Sequence, residues 1–188
     1  MTSIAYLGLG SNLGDRFANL LAGAAAIDEQ PGVSVRRMAT VLETEPVGVT
    51  DHPSYFNTVL QIEITCSIDQ LMASCLVVEQ QMGRRRSDDD ECEPRVLDVD
   101  VLLCGDVVCD TPEINIPHPR MHDRAFVLVP MVELAPDLVH PVLGATMGEL
   151  LESEIERHGP VADRCAILTP GSLLDDGPPS GPAGLPAS

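Results

Sequence analysis

The feature of this sequence that most constrains its fold is the order in which the hydrophobic pattern changes between residues 3 and 103. Four segments have the apolar or alternating pattern of strands: residues 3–9, 33–43, 57–65 and 96–103. After the first and third of them, from Asp15 and from Ser67, apolar residues recur at helical spacing. The order β-α-β-β-α-β therefore predicts an α+β protein built on one antiparallel sheet.

Local signals mark the remaining elements. Ser67 and Gln70 fit a capping box at the start of the second helix. Beyond residue 103 the pattern suggests an added hairpin and C-terminal helices, one of them containing Pro130, a residue that can interrupt a helix. We predict a ferredoxin-like βαββαβ core in αβα layers within residues 1–168. Residues 169–188 are rich in Pro and Gly, which predicts a disordered tail.

Charge and composition exclude several classes of protein. The formal net charge is −18, and all eleven basic residues are arginine, so a generic nucleic-acid binder is not expected. Neither an apolar run of about 18–20 residues nor a signal peptide is evident, which predicts a cytoplasmic protein without a membrane span. Charge repulsion favours a monomer. The six cysteines form no CxxC pair and read as free thiols.

The strand at residues 96–103 carries two carboxylates, Asp98 and Asp100, in an apolar sequence typical of a central strand. Residues two apart in a strand point to the same side, about 7 Å apart. Their mutual repulsion is on the order of 2 kcal/mol at an effective dielectric constant near 20. Two kinds of compensation remain open: salt bridges to Arg84, Arg86 or Arg95, or a bound magnesium ion with substrate phosphates.

Three other stretches are candidates for ligand binding, each with a purely structural alternative. "GLGSNLG" lets a backbone approach a ligand closely, but it is not a P-loop and equally suits a tight turn. Tyr55 and Asn57 lie on the same side of a strand start, where they suit a flat heterocycle or ordinary packing. His118 and Arg124 could reach phosphate oxygens, although a histidine between prolines also suits a simple loop.

Taken together, four segments resemble the 6-hydroxymethyl-7,8-dihydropterin pyrophosphokinase family over about residues 3–150. They are "AYLGLGSNLGDR", "ETEPVG" with "HPSYFNTV", "EQQMGRRR" with "PRVLDVDVLLCG", and "INIPHPRMHDRAFVLVPMVELAP". The resemblance implies transfer of pyrophosphate from ATP to the hydroxymethyl group of the pterin, with release of AMP and with two Mg²⁺ ions. The expected partners are therefore these small-molecule substrates.

The resemblance also implies roles for individual residues. The metal ligands fall on Asp98 and Asp100, which together with Arg84 and Arg95 form the expected catalytic set. ATP binding falls on Arg84, Arg86, Arg95, Val101, His118 and Arg124. Pterin binding falls on Thr44, Val47, Tyr55, Asn57 and Phe126. Glu79 matches a family acidic residue whose role the sequence leaves open, as it does the acceptor of the hydroxyl proton.

One departure from the family pattern concerns the loop before the aspartates. Relatives usually carry a tryptophan at the position of Cys92, and the stretch "SDDDECE" is more acidic than expected. We expect weaker pterin binding or slower turnover, with the metal ligands retained. The alternatives are a catalytically weak homologue that binds pterin or nucleotide, and an unrelated interaction module. Intact Asp98, Asp100, Arg84, Arg86 and Arg95 favour the enzyme.

Overall fold

The computed structural model describes residues 2–45, 53–84 and 94–168. Within these residues, helices and strands alternate along the chain. They are β1 (Ser3–Ser11), α1 (Arg16–Asp28), β2 (Val33–Met38), β3 (Leu42–Thr44), β4 (Tyr55–Ile64), α2 (Ile68–Gln81), β5 (Asp98–Cys104), β6 (Cys109–Asp110), β7 (Asn115–Ile116), α3 (Ala125–Leu134), α4 (Met147–His158) and β8 (Cys165–Ile167). Predictions for Val47, Arg86, Cys92 and the tail at 169–188 lie outside the described residues.

Six strands form one antiparallel sheet in the order β5-β1-β4-β3-β8, and β2 pairs with β4 beside β3. The short strands β6 and β7 form the separate hairpin expected from the sequence. The predicted mixed architecture, an antiparallel sheet covered by helices, is therefore confirmed. None of the helices among the described residues is both long and apolar enough to cross a membrane.

Three features of the sheet differ from the sequence-based expectation. The strand expected at 33–43 is divided into β2 and β3, because the Thr40 amide donates to the Glu133 carboxylate of α3 and leaves the sheet. β5 lies at an edge of the sheet and is not central. Its apolar residues are nevertheless buried, because helices cover both faces. The third difference is β8, an edge strand of three residues that was not predicted.

Two hydrophobic cores separate three layers. On one face, α1 and α2 pack on the sheet through residues that include Leu20, Ile27, Leu71 and Val78. On the other face, α3 and α4 pack through residues that include Leu128, Met131, Met147 and Leu150. The strands serve both cores because their side chains alternate between the two faces.

The helix ends follow the local sequence signals. The Asp15 side chain caps α1 by accepting from the Ala18 amide, and the predicted capping box of Ser67 and Gln70 is present at α2. α3 continues through Pro130, whose side chain is buried, so the interruption that a proline can cause does not occur. The cysteines within the described residues, Cys66, Cys75, Cys104, Cys109 and Cys165, are all free thiols.

Candidate active site

A polar cluster lies where β1, β4 and β5 run side by side near one end of the sheet. Gly10 of β1 is paired with Asp98 on one side and with Asn57 on the other. Val99 and Val101 belong to the core under α1 and α2, so the alternating Asp98 and Asp100 face the opposite side, toward α3. The cluster thus occupies the sheet face that carries α3 and α4.

Glycine at position 10 keeps the space between these polar side chains open. A Cβ atom on Gly10 would lie 3.1 Å from the Asn57 Oδ1 atom and 4.0 Å from the Asp98 Cβ atom. Any larger side chain would therefore occupy the gap between the amide and the carboxylate. The sequence stretch "GLGSNLG" indicated close approach of a backbone, and the structure shows which two side chains it separates.

Asp98 is held by two arginines. Its Oδ1 atom accepts hydrogen bonds from Arg84 at 3.1 Å and from Arg95 at 2.8 Å. Arg84 also pairs with Glu79, whose side chain is only 2% exposed and accepts from the Val99 amide at 2.9 Å. Glu79, of unassigned role in the sequence, therefore connects α2, Arg84 and β5.

Asp100 has a different environment, because no donor among the described residues forms a hydrogen bond with its carboxylate. Burial and repulsion by Asp98 raise the pKa of Asp100 to about 6, against the attraction of Arg124, Arg95 and Arg84. The two carboxylates therefore repel each other as the sequence predicted, and the arginines bond only one of them directly. An additional cation would stabilise the pair.

His118 faces Asp100 across this gap, with its Nε2 atom 3.9 Å from Asp100 Oδ2. Burial and the nearby Arg124 and Arg120 lower the pKa of His118 to about 4, so the ring is neutral at pH 7. Its Nδ1 atom accepts from the Arg120 amide at 3.2 Å, which places the proton on Nε2. His118 therefore presents a neutral N–H donor to the cluster.

A second group of predicted residues lies beside the carboxylates on β3 and β4. Asn57 Nδ2 donates to Thr44 Oγ1 at 2.9 Å, and both side chains are buried. Tyr55 is the direct partner of Thr44 across the two strands. With its amide nitrogen held by Thr44, Asn57 keeps Oδ1 on the side of Gly10. This arrangement can recognise a donor group of a flat ligand.

The N-terminal end of α3 contributes two more predicted residues, Arg124 and Phe126. The guanidinium carbon of Arg124 lies 5.5 Å from the centre of the Phe126 ring, and both side chains are partly buried. Val101, by contrast, has its side chain in the core under α1 and α2. Only its backbone can contribute on the side of the two aspartates.

The donor atoms of the cluster suit a magnesium ion. Asp98 and Asp100 point to the same side and keep carboxylate oxygens free of hydrogen bonds from described residues, and Mg²⁺ prefers such oxygen ligands. No group of three or more His, Cys, Asp or Glu side chains within the described ranges converges on one point. An ion here would therefore complete its coordination with water and phosphate oxygens, as Mg²⁺ commonly does.

Sequence reasoning missed Asn12, which fixes the position of Arg95. The Asn12 amide donates to the Arg95 carbonyl at 3.0 Å, and its side-chain Oδ1 accepts from the Arg95 amide at 2.6 Å. Asn12 is 1% exposed. A polar Ser-Asn pair directly after an apolar strand was the available signal, but nothing in the sequence indicated its partner 83 residues away.

An αβα protein with paired carboxylates, arginines and a neutral histidine at one end of its sheet has a candidate site for a metal–phosphate ligand. The sequence profile of the 7,8-dihydro-6-hydroxymethylpterin-pyrophosphokinase (HPPK) family matches residues 6–136. The 2-amino-4-hydroxy-6-hydroxymethyldihydropteridine pyrophosphokinase of Methylorubrum extorquens is 37% identical over 147 residues, 78% of this chain and 90% of that protein. The Bacillus subtilis enzyme of the same name is 34% identical, and the matched region covers 79% of that protein. The chain belongs to the HPPK family.

Other relatives are longer than this chain. The folic acid synthesis protein fol1 of Schizosaccharomyces pombe is 37% identical over 149 residues, which are 79% of this chain but 20% of that protein. A crystal structure of Plasmodium falciparum HPPK-DHPS superposes with a TM-score of 0.68 at 14% identity, covering 89% of this chain and 47% of that chain. The chain thus spans about a fifth of the fungal relative and about half of the Plasmodium chain.

Proposed function

We propose that this chain transfers pyrophosphate from ATP to the hydroxymethyl group of 6-hydroxymethyl-7,8-dihydropterin, releasing AMP, as a step of folate biosynthesis. The observation that carries the proposal is the asymmetric carboxylate pair: Asp98 is bonded by Arg84 and Arg95, whereas Asp100 has no bonded partner among the described residues. We further propose that the enzyme acts as a monomer and that its core is ferredoxin-like, since its elements follow the βαββαβ order when β2 and β3 are taken as two halves of one divided strand.

Asp98 and Asp100 are the proposed ligands of two Mg²⁺ ions. Held there, such ions would supply positive charge to the phosphates of ATP and lower the pKa of a coordinated hydroxyl or water. The chain's part is to hold both carboxylates on one face of β5, where the ladder with β1 fixes their spacing. Compensation of the Asp98–Asp100 repulsion by cations makes the same pair favourable in the substrate complex.

The basic residues around the pair bind and orient the triphosphate. Arg84 and Arg95 are fixed by Asp98, so they require little reorganisation when phosphate oxygens arrive. His118 offers a neutral Nε2–H donor, and Arg124 a cation at the start of α3. Pyrophosphoryl transfer needs alignment and charge neutralisation more than covalent chemistry from the protein, which matches this set of groups. Arg86 is proposed to join them on the strength of the family resemblance.

The pterin is proposed to lie against Asn57, Thr44, Tyr55 and Phe126, with Val47 as a further contact. Asn57 can accept from ring N–H groups of the heterocycle through Oδ1, and the two aromatic rings offer flat apolar surfaces. Because Gly10 separates Asn57 from Asp98 in the sheet, the hydroxymethyl group would point from the amide toward the carboxylates. This placement aligns the acceptor hydroxyl with the triphosphate.

The variant Gly10→Ala tests this placement. We expect its KM for the pterin to rise about 10-fold or more, because a methyl group only 3.1 Å from Asn57 Oδ1 displaces that acceptor. The KM for ATP should change by less than about twofold. Gly148→Ala, in α4, where a Cβ atom makes only ordinary contacts at 3.7 Å or more, is the control and should leave both KM values unchanged. An unchanged pterin KM in Gly10→Ala would contradict the placement.

The proposed function is tested by incubating the purified chain with ATP, Mg²⁺ and 6-hydroxymethyl-7,8-dihydropterin and measuring AMP by chromatography. AMP and pterin pyrophosphate should form in equal amounts, and neither should form without the pterin. Direct binding of the pterin and of a non-hydrolysable ATP analogue is measured by calorimetry. Binding without AMP formation would overturn the proposed activity in favour of a pterin- or nucleotide-binding protein.

A further inference from the structure

Arg16, the first residue of α1, joins three structural elements on the sheet face opposite the polar cluster. Its Nη1 atom donates to Glu43 Oε1 at 2.9 Å, to the Ser54 carbonyl at 3.0 Å and to Ser54 Oγ at 2.6 Å. Its guanidinium carbon also lies 3.7 Å from the centre of the Phe56 ring. Arg16 therefore contacts β3, β4 and the residue that precedes β4.

The two polar partners of Arg16 also bond each other. Ser54 Oγ donates to Glu43 Oε1 at 2.5 Å, which closes a triangle of Arg16, Glu43 and Ser54. Burial alone would raise the pKa of Glu43, but the bonds from Ser54 and Arg16 lower it below its ordinary value. Glu43 is therefore a carboxylate at neutral pH and a charged partner for the guanidinium.

The position of this triangle relates it to the proposed pterin site. Glu43 and Ser54 are the chain neighbours of Thr44 and Tyr55, and Glu43 pairs with Phe56 across the strands. Because side chains alternate along a strand, Glu43 and Phe56 point away from the face that carries Thr44, Tyr55 and Asn57. Arg16 therefore contacts these strand ends on one face of the sheet. The proposed pterin site lies on the opposite face of the same strand ends.

The pairing that Arg16 supports is short. Among the described residues, β3 and β4 form three direct pairs, Leu42 with Asn57, Glu43 with Phe56 and Thr44 with Tyr55. On the other edge of β3, β8 also pairs over three residues. Short strand pairings at the end of a sheet open readily. Side-chain contacts that connect both strands to a helix therefore contribute strongly to keeping such a pairing closed.

We propose that Arg16 is a positioning residue for the pterin site: it holds Thr44, Tyr55 and Asn57 in the geometry that binds the heterocycle, without contacting it. This inference rests on the proposed function for the identity of the ligand. The positioning itself follows from contacts between described residues. Neither the family resemblance nor the sequence pattern assigned a role to Arg16.

The test compares Arg16→Ala and Arg16→Lys with the control Arg36→Ala. Arg36 also forms an ion pair between two strands of the sheet, with Glu63 at 2.7 Å, but it is exposed and lies away from the polar cluster. Arg16→Lys keeps the charge and a hydrogen-bond donor but loses the planar guanidinium that lies over the Phe56 ring, so it should recover only part of the function.

Amide hydrogen exchange measures positioning independently of activity. In Arg16→Ala, exchange at residues 42–44 and 55–57 should accelerate about 10-fold or more, while β1 and the rest of β4 keep their protection. Arg36→Ala should leave residues 42–44 and 55–57 unchanged. Unchanged exchange in Arg16→Ala would overturn the inference, whatever the enzyme assay gives.

Steady-state kinetics then connect positioning with ligand binding. In Arg16→Ala the KM for the pterin should rise about 10-fold or more, with the KM for ATP within about twofold of the unaltered protein. Faster exchange with an unchanged pterin KM would reduce Arg16 to a structural residue and overturn the inference. If the unaltered chain forms no AMP and binds no pterin, the proposed function fails, whereas the exchange experiment still decides whether Arg16 orders these strands.

Discussion

Replacing Asp98 or Asp100 by asparagine is expected to lower the rate of AMP formation on the order of 10³-fold, with Mg²⁺ and both substrates saturating. Asparagine keeps the size of the side chain but removes the charge that a divalent cation requires. Both substitutions should also weaken Mg²⁺ binding, measured by calorimetry with a non-hydrolysable ATP analogue. Asp106→Asn, at an exposed carboxylate in the turn after the same strand, is the matched control and should retain full activity.

In Mg²⁺-free buffer, the two aspartate substitutions should change the free energy of unfolding in opposite directions. Asp98→Asn should lower the free energy of unfolding in Mg²⁺-free buffer, because Arg84 and Arg95 lose their shared carboxylate. Asp100→Asn should raise it, because one of two repelling charges disappears while no hydrogen bond from a described residue is lost. Full activity in both variants would refute the assignment of the metal ligands. Equal changes in stability would contradict the asymmetry of the carboxylate pair.

Replacing Arg164 by glutamine is expected to cost about 3–5 kcal/mol of unfolding free energy in urea titrations at pH 7. Arg164 forms two hydrogen bonds with Glu154, at 2.5 and 2.9 Å, and the Glu154 side chain is only 1% exposed. Without Arg164, a buried carboxylate has lost its cation.

The reverse substitution, Glu154→Gln, should cost less, because the remaining Arg164 side chain is 30% exposed and can be hydrated. The double variant Glu154→Gln/Arg164→Gln should recover part of the loss. Glu156→Gln, on the exposed side of the same helix, is the control and should change stability by less than about 0.5 kcal/mol. A loss in Arg164→Gln no larger than in the control would show that the ion pair does not hold β8 beside β3.

Those parts of the fold that depend on local patterns agree with the sequence. The capping box of Ser67 and Gln70 is present because both partners lie within one helical turn. β8 was not predicted because its three residues have no periodicity. Its position is set by pairing with β3 and by the Arg164 ion pair. The division of β2 from β3 depends on Glu133, which lies 93 residues from Thr40 and has no sequence signature.

The candidate site also combines features that the sequence predicted with features that depend on tertiary contacts. The resemblance named Asp98, Asp100, Arg84 and Arg95, and the spacing of the two aspartates predicted their common side and their repulsion. Neither the resemblance nor the spacing predicted that both arginines bond Asp98 and leave Asp100 without a bonded partner among the described residues. Which carboxylate the arginines bond depends on where α2 ends, which places Arg84, and on how Asn12 holds Arg95. Both features depend on packing between segments that are distant in sequence.

By itself, the sequence determined the order of the main strands and helices up to residue 103, the capping box of α2, the family and the two aspartates on one side of β5. These properties depend on periodicity, residue chemistry and short separations along the chain. Only the tertiary structure decided that β5 is an edge strand, that His118 presents its Nε2–H to Asp100, and that Arg16 holds the strand ends behind Thr44 and Tyr55. Each of these depends on contacts between segments far apart in sequence, whose geometry is set by packing of the whole sheet.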